Sequence, residues 1–357
     1  MSREPGRIAA GHRQRTAQQL RRLVLLGAVL TVALPAAAAA AGHVANHETT
    51  RSRRPADTGA AEATAHSTVS ASLSSVIWPQ QGEAALVIGN GKPAASPDQR
   101  PVPIASVAKV MTAYLTLKHD PLSGEQDGFT VTITPSEVQT ESQDASEGGS
   151  VVTVQAGEQL TERQLLEALL IPSGNNIAQL LAVRVGGSEA SFLTEMNSEA
   201  RALGMDRTTY TDPSGFDPST VSTAADQLRV FRQAMRFSVF RQIVSTASVP
   251  FPVVGSLTNT NPLIVDGYSG KTGSDSAAGA CLAFFTDVTA DGRLLTATGV
   301  VLGQWQDNEV ILDAAGEAAV HLVDSVIPTA NRPTAASPAT VGLPRRHRST
   351  PIVRRRP

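Results

Sequence analysis

The chain has 357 residues, 41% hydrophobic and 4% aromatic, with 30 Lys+Arg against 32 Asp+Glu and a formal net charge of −2. The charge is polarised: residues 1–56 carry nine arginines against Glu4 and Glu48, residues 328–357 carry seven arginines and no acid, and 57–327 is left at −16. A middle that acidic excludes a nucleic-acid binder, whose phosphate contacts need basic surface. A lone cysteine excludes an intrachain disulfide framework.

Arg21-Arg22 precede an apolar run, Leu23 to Leu34, followed by Pro35 and alanines to Ala41. A basic start, an apolar core, a helix breaker and small residues describe a secretory signal peptide over 1–41. Counted through Ala41, the run is also nearly long enough for an uncleaved membrane anchor. Either way the rest is expected outside the cytoplasm, secreted or held at the outer face of the cytoplasmic membrane. Residues 42–71 turn to Thr, Ala, Ser, His and Arg without an apolar face and read as a disordered linker. His43 and His47 stand four apart but lack a third ligand, so they read as solvated side chains.

A folded domain is expected over 72–327. Ala84 to Ile88 is a strand, and Gly89-Asn90-Gly91 a turn. Val107, Val110, Met111, Tyr114, Leu115 and Leu117 keep a helical period, with Ser106 at the helix start and Lys109 one turn on. Val131–Ile133 and Val151–Val154 read as short strands around an acidic polar loop. Thr161 and Gln164 form a capping box for a helix carrying Leu165, Leu166, Leu169 and Leu170, which Pro172 stops. Ser173-Gly174-Asn175 is then an exposed turn between helices. Ile177, Leu180, Leu181 and Val185 line the next helix, ended by Gly186-Gly187, and Phe192, Leu193, Met196 and Ala200 another. Ser222 is expected to cap a helix with Leu228, Phe231 and Met235 inward. Ala280–Phe285 and Leu294–Leu302 flank Asp291-Gly292 as a hairpin. A last helix, Asn308 to Val326, is expected to cover that sheet. From 328 to 357 the composition reads as a disordered basic tail.

Three short stretches carry chemistry. An amine one helical turn from a hydroxyl can activate it without histidine, and the backbone N–H groups of a helix start can hold an oxyanion. That describes Ser106 and Lys109, although alone they also suit a capped helix with a surface lysine. Ser173-Gly174-Asn175 and Lys271-Thr272-Gly273-Ser274 add a hydroxyl, an amide and a second amine. The chain has only four lysines, Lys92, Lys109, Lys118 and Lys271, and two of them fall in these stretches.

The order S-x-x-K, S-x-N, K-T-G resembles the serine D-alanyl-D-alanine carboxypeptidases, the low-molecular-mass penicillin-binding proteins. The resemblance spans about 72–327 and takes in Leu203-Gly204-Met205, Asp212 to Asp217, and Asp266-Gly267 through Ala278-Gly279. It implies an α+β fold, an antiparallel sheet flanked by helices with a mainly helical subdomain and no second β domain. It implies an acyl-enzyme on Ser106, with Lys109 as base, Ser173 passing a proton to the leaving amine, and Asn175 holding the substrate amide and Lys109. Lys271 and Thr272 would receive the terminal carboxylate, and Gly273-Ser274 would bring an oxyanion N–H beside that of Ser106. The implied partners are a peptidoglycan stem peptide ending in D-Ala-D-Ala and β-lactams, with no cofactor and no metal.

One departure is visible. Where the family often carries a basic residue on the strand after K-T-G, this chain has Gly303-Gln304-Trp305-Gln306. The alternatives are a β-lactamase, for which Ser-Gly-Asn and the short downstream loop offer no glutamate to activate water, and a receptor that stays acylated. Cys281 lies in an apolar run and reads as a buried thiol. His119 and His321, near helix ends, read as surface or packing residues rather than triad bases.

Overall fold

Residues 84–88 are apolar at every position, so the strand they form must be covered on both faces, and the architecture follows from that. The computed structural model describes residues 73–290, 292–306 and 312–327. The expected leader, linker and tail (1–41, 42–71 and 328–357), the His43/His47 pair and Asp291 lie outside the described residues. The fold is α+β. Strands β1 (Glu83–Ile88), β2 (Ala94–Ala95), β3 (Ser269–Asp275), β4 (Gly279–Ala290) and β5 (Arg293–Gln304) form one antiparallel sheet in the order β2-β1-β5-β4-β3.

The period of two along each strand divides the core. Ala85 and Val87 join Ala283, Val300 and Leu302 in a cluster beneath the helices, whereas Ala84, Leu86 and Ile88 join Leu282, Phe284 and Val301 on the opposite face. The second face is covered by α8 (Leu312–Asp324), through Ala315, Ala319, Leu322 and Val323. The first carries α1 (Lys109–His119), α2 (Pro135–Ser146), α3 (Glu162–Leu170), α4 (Asn175–Gly186), α5 (Glu189–Ala202), α6 (Ala224–Ala234) and α7 (Ser238–Val244). Helix α1 is the hub. It is buried from Lys109 through Leu117 and packs against α3, α4, α5 and α6. Among the described residues no helix is long and apolar enough to cross a membrane.

Several details differ from the sequence reading: the Ser173-Gly174-Asn175 turn, for one, is buried rather than exposed. The acidic stretch after residue 134 is a helix, α2, opened by a capping box between Thr134 and Glu137 with Pro135 in its first turn. Val151–Val154 is not a strand; Thr130–Thr132 pairs instead with Gln159–Thr161. Val152 and Val154 are buried, but their amides bind side chains, Asn176 Oδ1 at 3.0 Å and Glu141 Oε2 at 3.1 Å. The α6 cap is Thr223, not Ser222: its hydroxyl accepts from Asp226 N at 3.1 Å while Ser222 pairs with Val102 in a two-stranded ribbon. A second small hairpin, 248–258, also went unanticipated.

Candidate active site

Ser106 does not cap α1. It is the second residue of a 3-10 turn, Ala105–Ala108, that runs directly into α1 and has no side-chain cap. The turn is entered through Ala105 at φ +44, a left-handed conformation that a residue with a Cβ adopts only when its surroundings impose it. Gly215 supplies the constraint. A Cβ there would stand 1.9 Å from the Ala105 carbonyl oxygen, so the backbone of the 212–216 loop presses directly on the serine turn. Edge strand β3 approaches from the other side, where a Cβ at Gly273 would lie 2.9 Å from the amide nitrogens of both Ser106 and Val107. Glycine is required there for close approach.

Lys109 is fully buried, at 0% exposure, and three oxygens converge on its amine: Ser106 Oγ at 2.7 Å, Asn175 Oδ1 at 2.7 Å and the Ser214 carbonyl at 3.0 Å. Burial pushes its pKa down from 10.5 to about 7, against the opposing pull of the Asp212 and Asp144 carboxylates. Near neutrality a sizeable fraction is therefore a free amine, and the Ser106 hydroxyl can then donate its proton to the nitrogen lone pair.

The third oxygen belongs to a support that the sequence reading noted only as part of the resemblance. Asp212 knots its loop by accepting from Ser214 N at 3.1 Å, Phe216 N at 2.9 Å and Thr220 Oγ1 at 2.6 Å. The Pro213 carbonyl accepts from Thr112 Oγ1 at 2.6 Å, fastening the knot to α1 one turn from Lys109.

A second buried amine sits nearby. Lys271 Nζ donates to Ser173 Oγ at 2.9 Å and to the Thr272 carbonyl at 2.8 Å. It too is at 0% exposure, and burial, then the neighbouring Lys109, holds its pKa well below the ordinary value. Ser173 occupies the left-handed region at φ +73, which turns its hydroxyl toward Lys271 while Asn175, two residues on, serves Lys109. The turn is held by Gly174 N to the Ala168 carbonyl at 3.0 Å and Asn175 N to the Ser150 carbonyl at 2.7 Å. Ser173-Gly174-Asn175 thus links the two amines.

Ser106, Asn175 and Ser274 all line one cleft of about 440 Å³, with Gly149, Ser150 and Gly215 among its walls. Thr272 is placed differently from its neighbours: its hydroxyl shares a hydrogen bond with Thr260 Oγ1 at 2.6 Å. Trp305 does not line this cleft. Two carboxylates do, Glu147 and Asp275. Asp275 Oδ1 is held by the amides of Ala277 and Ala278, both at 2.7 Å, and Glu147 by Gln143 Nε2 at 3.1 Å. Among the described residues no cluster of His, Cys, Asp and Glu could hold a metal ion.

The family described as D-alanyl-D-alanine carboxypeptidase, peptidase family S11, matches residues 91–304, which include every residue of this site. The chain belongs to that family. Its D-alanyl-D-alanine carboxypeptidase relative DacB2 of Mycobacterium tuberculosis is 35% identical over 189 residues, 49% of this chain and 59% of the relative. A D-alanyl-D-alanine endopeptidase of Pseudomonas aeruginosa is 31% identical over 234 residues, 63% of this chain and 67% of that protein. This S11 chain therefore spans between about half and two thirds of the curated relatives' length. The crystal structure of the Streptomyces K15 DD-transpeptidase superposes with a TM-score of 0.60 at 26% identity, covering 70% of this chain and 99% of that one.

Outside the cleft, Cys281 is buried, and burial pushes its thiol up to about 12. His119 is exposed and bonds Glu195 Oε1 at 2.6 Å, and His321 is exposed on α8. Neither faces the cleft.

Proposed function

We propose that this chain is a serine D-alanyl-D-alanine carboxypeptidase that removes the terminal D-alanine from peptidoglycan stem peptides and is acylated by penicillins. The observation that carries the reading is the 2.7 Å approach of a buried amine with a pKa of about 7 to Ser106 Oγ. Ser106 attacks the carbonyl between the two D-alanines as Lys109 takes its proton. The Ser106 and Ser274 amides receive the oxyanion at the place where Gly273 lets β3 close on the serine turn. Ser173, bonded to Lys271, passes a proton to the departing amine, and Lys271 attracts the terminal carboxylate. Water then releases the shortened peptide from Ser106.

The β-lactamase alternative draws less support. The Lys109 amine beside Ser106 is met by Ser106, Asn175 and the Ser214 carbonyl, and neither Glu147 nor Asp275 is among the groups bonded to that pair, as a carboxylate activating water on an acyl-enzyme there would be. The test is D-alanine release from a peptide ending in D-Ala-D-Ala by wild-type and Ser106→Ala protein. Release by the wild type alone is expected. A penicillin adduct lasting many hours without any D-alanine release would favour the receptor instead, and rapid penicillin hydrolysis the β-lactamase.

The domain is also proposed to work outside the cytoplasm, supported by Arg21-Arg22 and the apolar run to Leu34. Protease added to intact spheroplasts should then digest it; complete protection would overturn the idea.

A further inference from the structure

The chain has two tryptophans, Trp78 and Trp305, and both line a single groove of about 320 Å³ on the α8 side of the sheet. Each is half-buried, and each is fixed by its surroundings. Trp78 packs against the core beneath α8. Trp305 lies across Gly279, whose φ of +66 and missing side chain make the seat: a Cβ there would be 2.7 Å from the indole nitrogen. The Trp305 carbonyl accepts from Gln81 Nε2 at 2.6 Å, and the Gln81 carbonyl accepts in turn from Gln304 Nε2 at 3.0 Å. The aromatic walls are thus in place before any ligand arrives, which lowers the ordering cost of binding.

The rim is made of Gln80, Gln306, Glu317 and His321, all exposed, and among the described residues no lysine or arginine lines the groove. Flat apolar walls with a rim of two amides, a carboxylate and an imidazole suit a ligand whose faces are apolar and whose edge bears hydroxyl and amide groups. A pyranose amino sugar has that form. A peptide rich in carboxylates does not, because among the described residues Glu317 repels it and no lysine or arginine receives it.

Position adds the second argument. Ser274 on β3 pairs with Ala280 on β4, and Ala280 with Gln304 on β5, so the groove begins two strands from the Ser106 cleft at the same end of the sheet. Two strand spacings amount to about 10 Å along the sheet, to which the turn from the α8 face round the sheet's end adds. An extended peptide arm of four to five residues reaches about 13–18 Å and covers both.

We propose that this groove is a binding subsite for the amino-sugar strand of the wall polymer whose peptide arm enters the Ser106 cleft; the choice of polymer rests on the function proposed above. The subsite recruits substrate that is still attached to glycan and is indifferent to free peptide.

Trp78 and Trp305 being the sole tryptophans, indole emission of the full chain reports on this groove alone. Titration with the tetramer of N-acetylglucosamine should change that emission saturably in the wild type, and not in Trp305→Ala, whose remaining indole is Trp78. Penicillin labelling of Ser106 should be unchanged in the variant, which shows that it folds. The variant should lose about tenfold in kcat/KM for D-alanine release from glycan-attached peptides and less than twofold for a free peptide. Gln306→Ala, at the exposed rim, should show the same preference more weakly. No saturable change with the tetramer, or an equal loss on both substrates, overturns the subsite. So does an emission change produced by free stem peptide in place of the sugar. Saturable sugar binding without any D-alanine release would uphold the groove and sink the carboxypeptidase reading instead.

Discussion

Lys109 and Glu162 invite direct comparison. Both side chains are at 0% exposure, and burial has moved both to a pKa of about 7, the lysine down from 10.5 and the glutamate up from 4.5. The same loss of hydration drives both shifts. Their surroundings are opposite. Three oxygens from three segments converge on the Lys109 amine. Neither oxygen of Glu162 meets hydrogen-bond geometry with a partner among the described residues; only the Phe129 backbone and the Arg184 charge offset its burial, and the carboxylate lies under the 120–129 loop, where a Cβ on Gly128 would fall 2.2 Å from Oε2. A shifted pKa therefore does not by itself mark a reactive group. What marks Lys109 is that its partners include a hydroxyl open to a cleft.

The largest effect should come from the pair itself. Ser106→Ala is expected to abolish the penicillin adduct, and Lys109→Ala to slow acylation by about 10²–10⁴, the range for a lost general base. Intact mass after labelling decides both. An adduct on the Ser106→Ala protein, mapped to Ser173 or Ser274, would assign the nucleophile elsewhere.

The second amine should matter less, and selectively. Lys271→Ala removes a charge-assisted contact worth about 1.5–3 kcal/mol, so kcat/KM for a D-Ala-D-Ala peptide should fall about ten- to a hundredfold. The corresponding peptide amide lacks the terminal charge and should suffer much less. Equal losses on the two would mean that Lys271 serves only to orient Ser173, to which it is bonded.

A pH profile probes Lys109 more finely. The cation cannot accept a proton, so the acylation rate should climb as pH rises through about 7 and level off above it. The Asp144 carboxylate favours the charged amine, so Asp144→Asn should move the inflection downward, by up to about one pH unit on ordinary charge–charge scales. An inflection that stays in place would remove Asp144 from the electrostatics of the cleft.

Much of this region was legible in the sequence because helical period and turn chemistry specified it locally. The Thr161/Gln164 box, the apolar face around Ser106 and the β4–β5 hairpin are all where their patterns put them. Helix α2 was missed because it is polar on nearly every side, with Asp144 its one buried residue. Its signal was the Thr134-Pro135-Ser136-Glu137 cap rather than any apolar stripe. Val151–Val154 misled in the opposite way, since its apolar alternation packs a loop whose amides are met by side chains. The left-handed Ala105 and Ser173 had no local signal. Gly215 and β3 close on the Ala105 turn from distant parts of the chain, Lys271 of β3 holds the Ser173 hydroxyl, and the third oxygen on Lys109 likewise arrives from the 212–216 loop.

The smallest effect concerns the other member of the pair. Below about pH 4.5 Glu162 is protonated in the folded and unfolded chain alike, and its titration costs nothing. Between there and about 7 the folded chain keeps a proton that the unfolded chain has released, so this residue's contribution to stability falls as pH rises. Above 7 the carboxylate is charged in both states and the folded chain bears the full penalty. Glu162→Gln removes the titration. Urea midpoints of wild type and variant should separate progressively from pH 4.5 to 8, the variant gaining about 1 kcal/mol at the upper end, since partial screening keeps the effect below the whole shift. The difference between the two proteins cancels the contribution of Lys109, which runs the other way above 7. Penicillin acylation should be the same in both. A gap that does not widen with pH would show that Glu162 has found a partner, and the contrast with Lys109 would then be one of position alone.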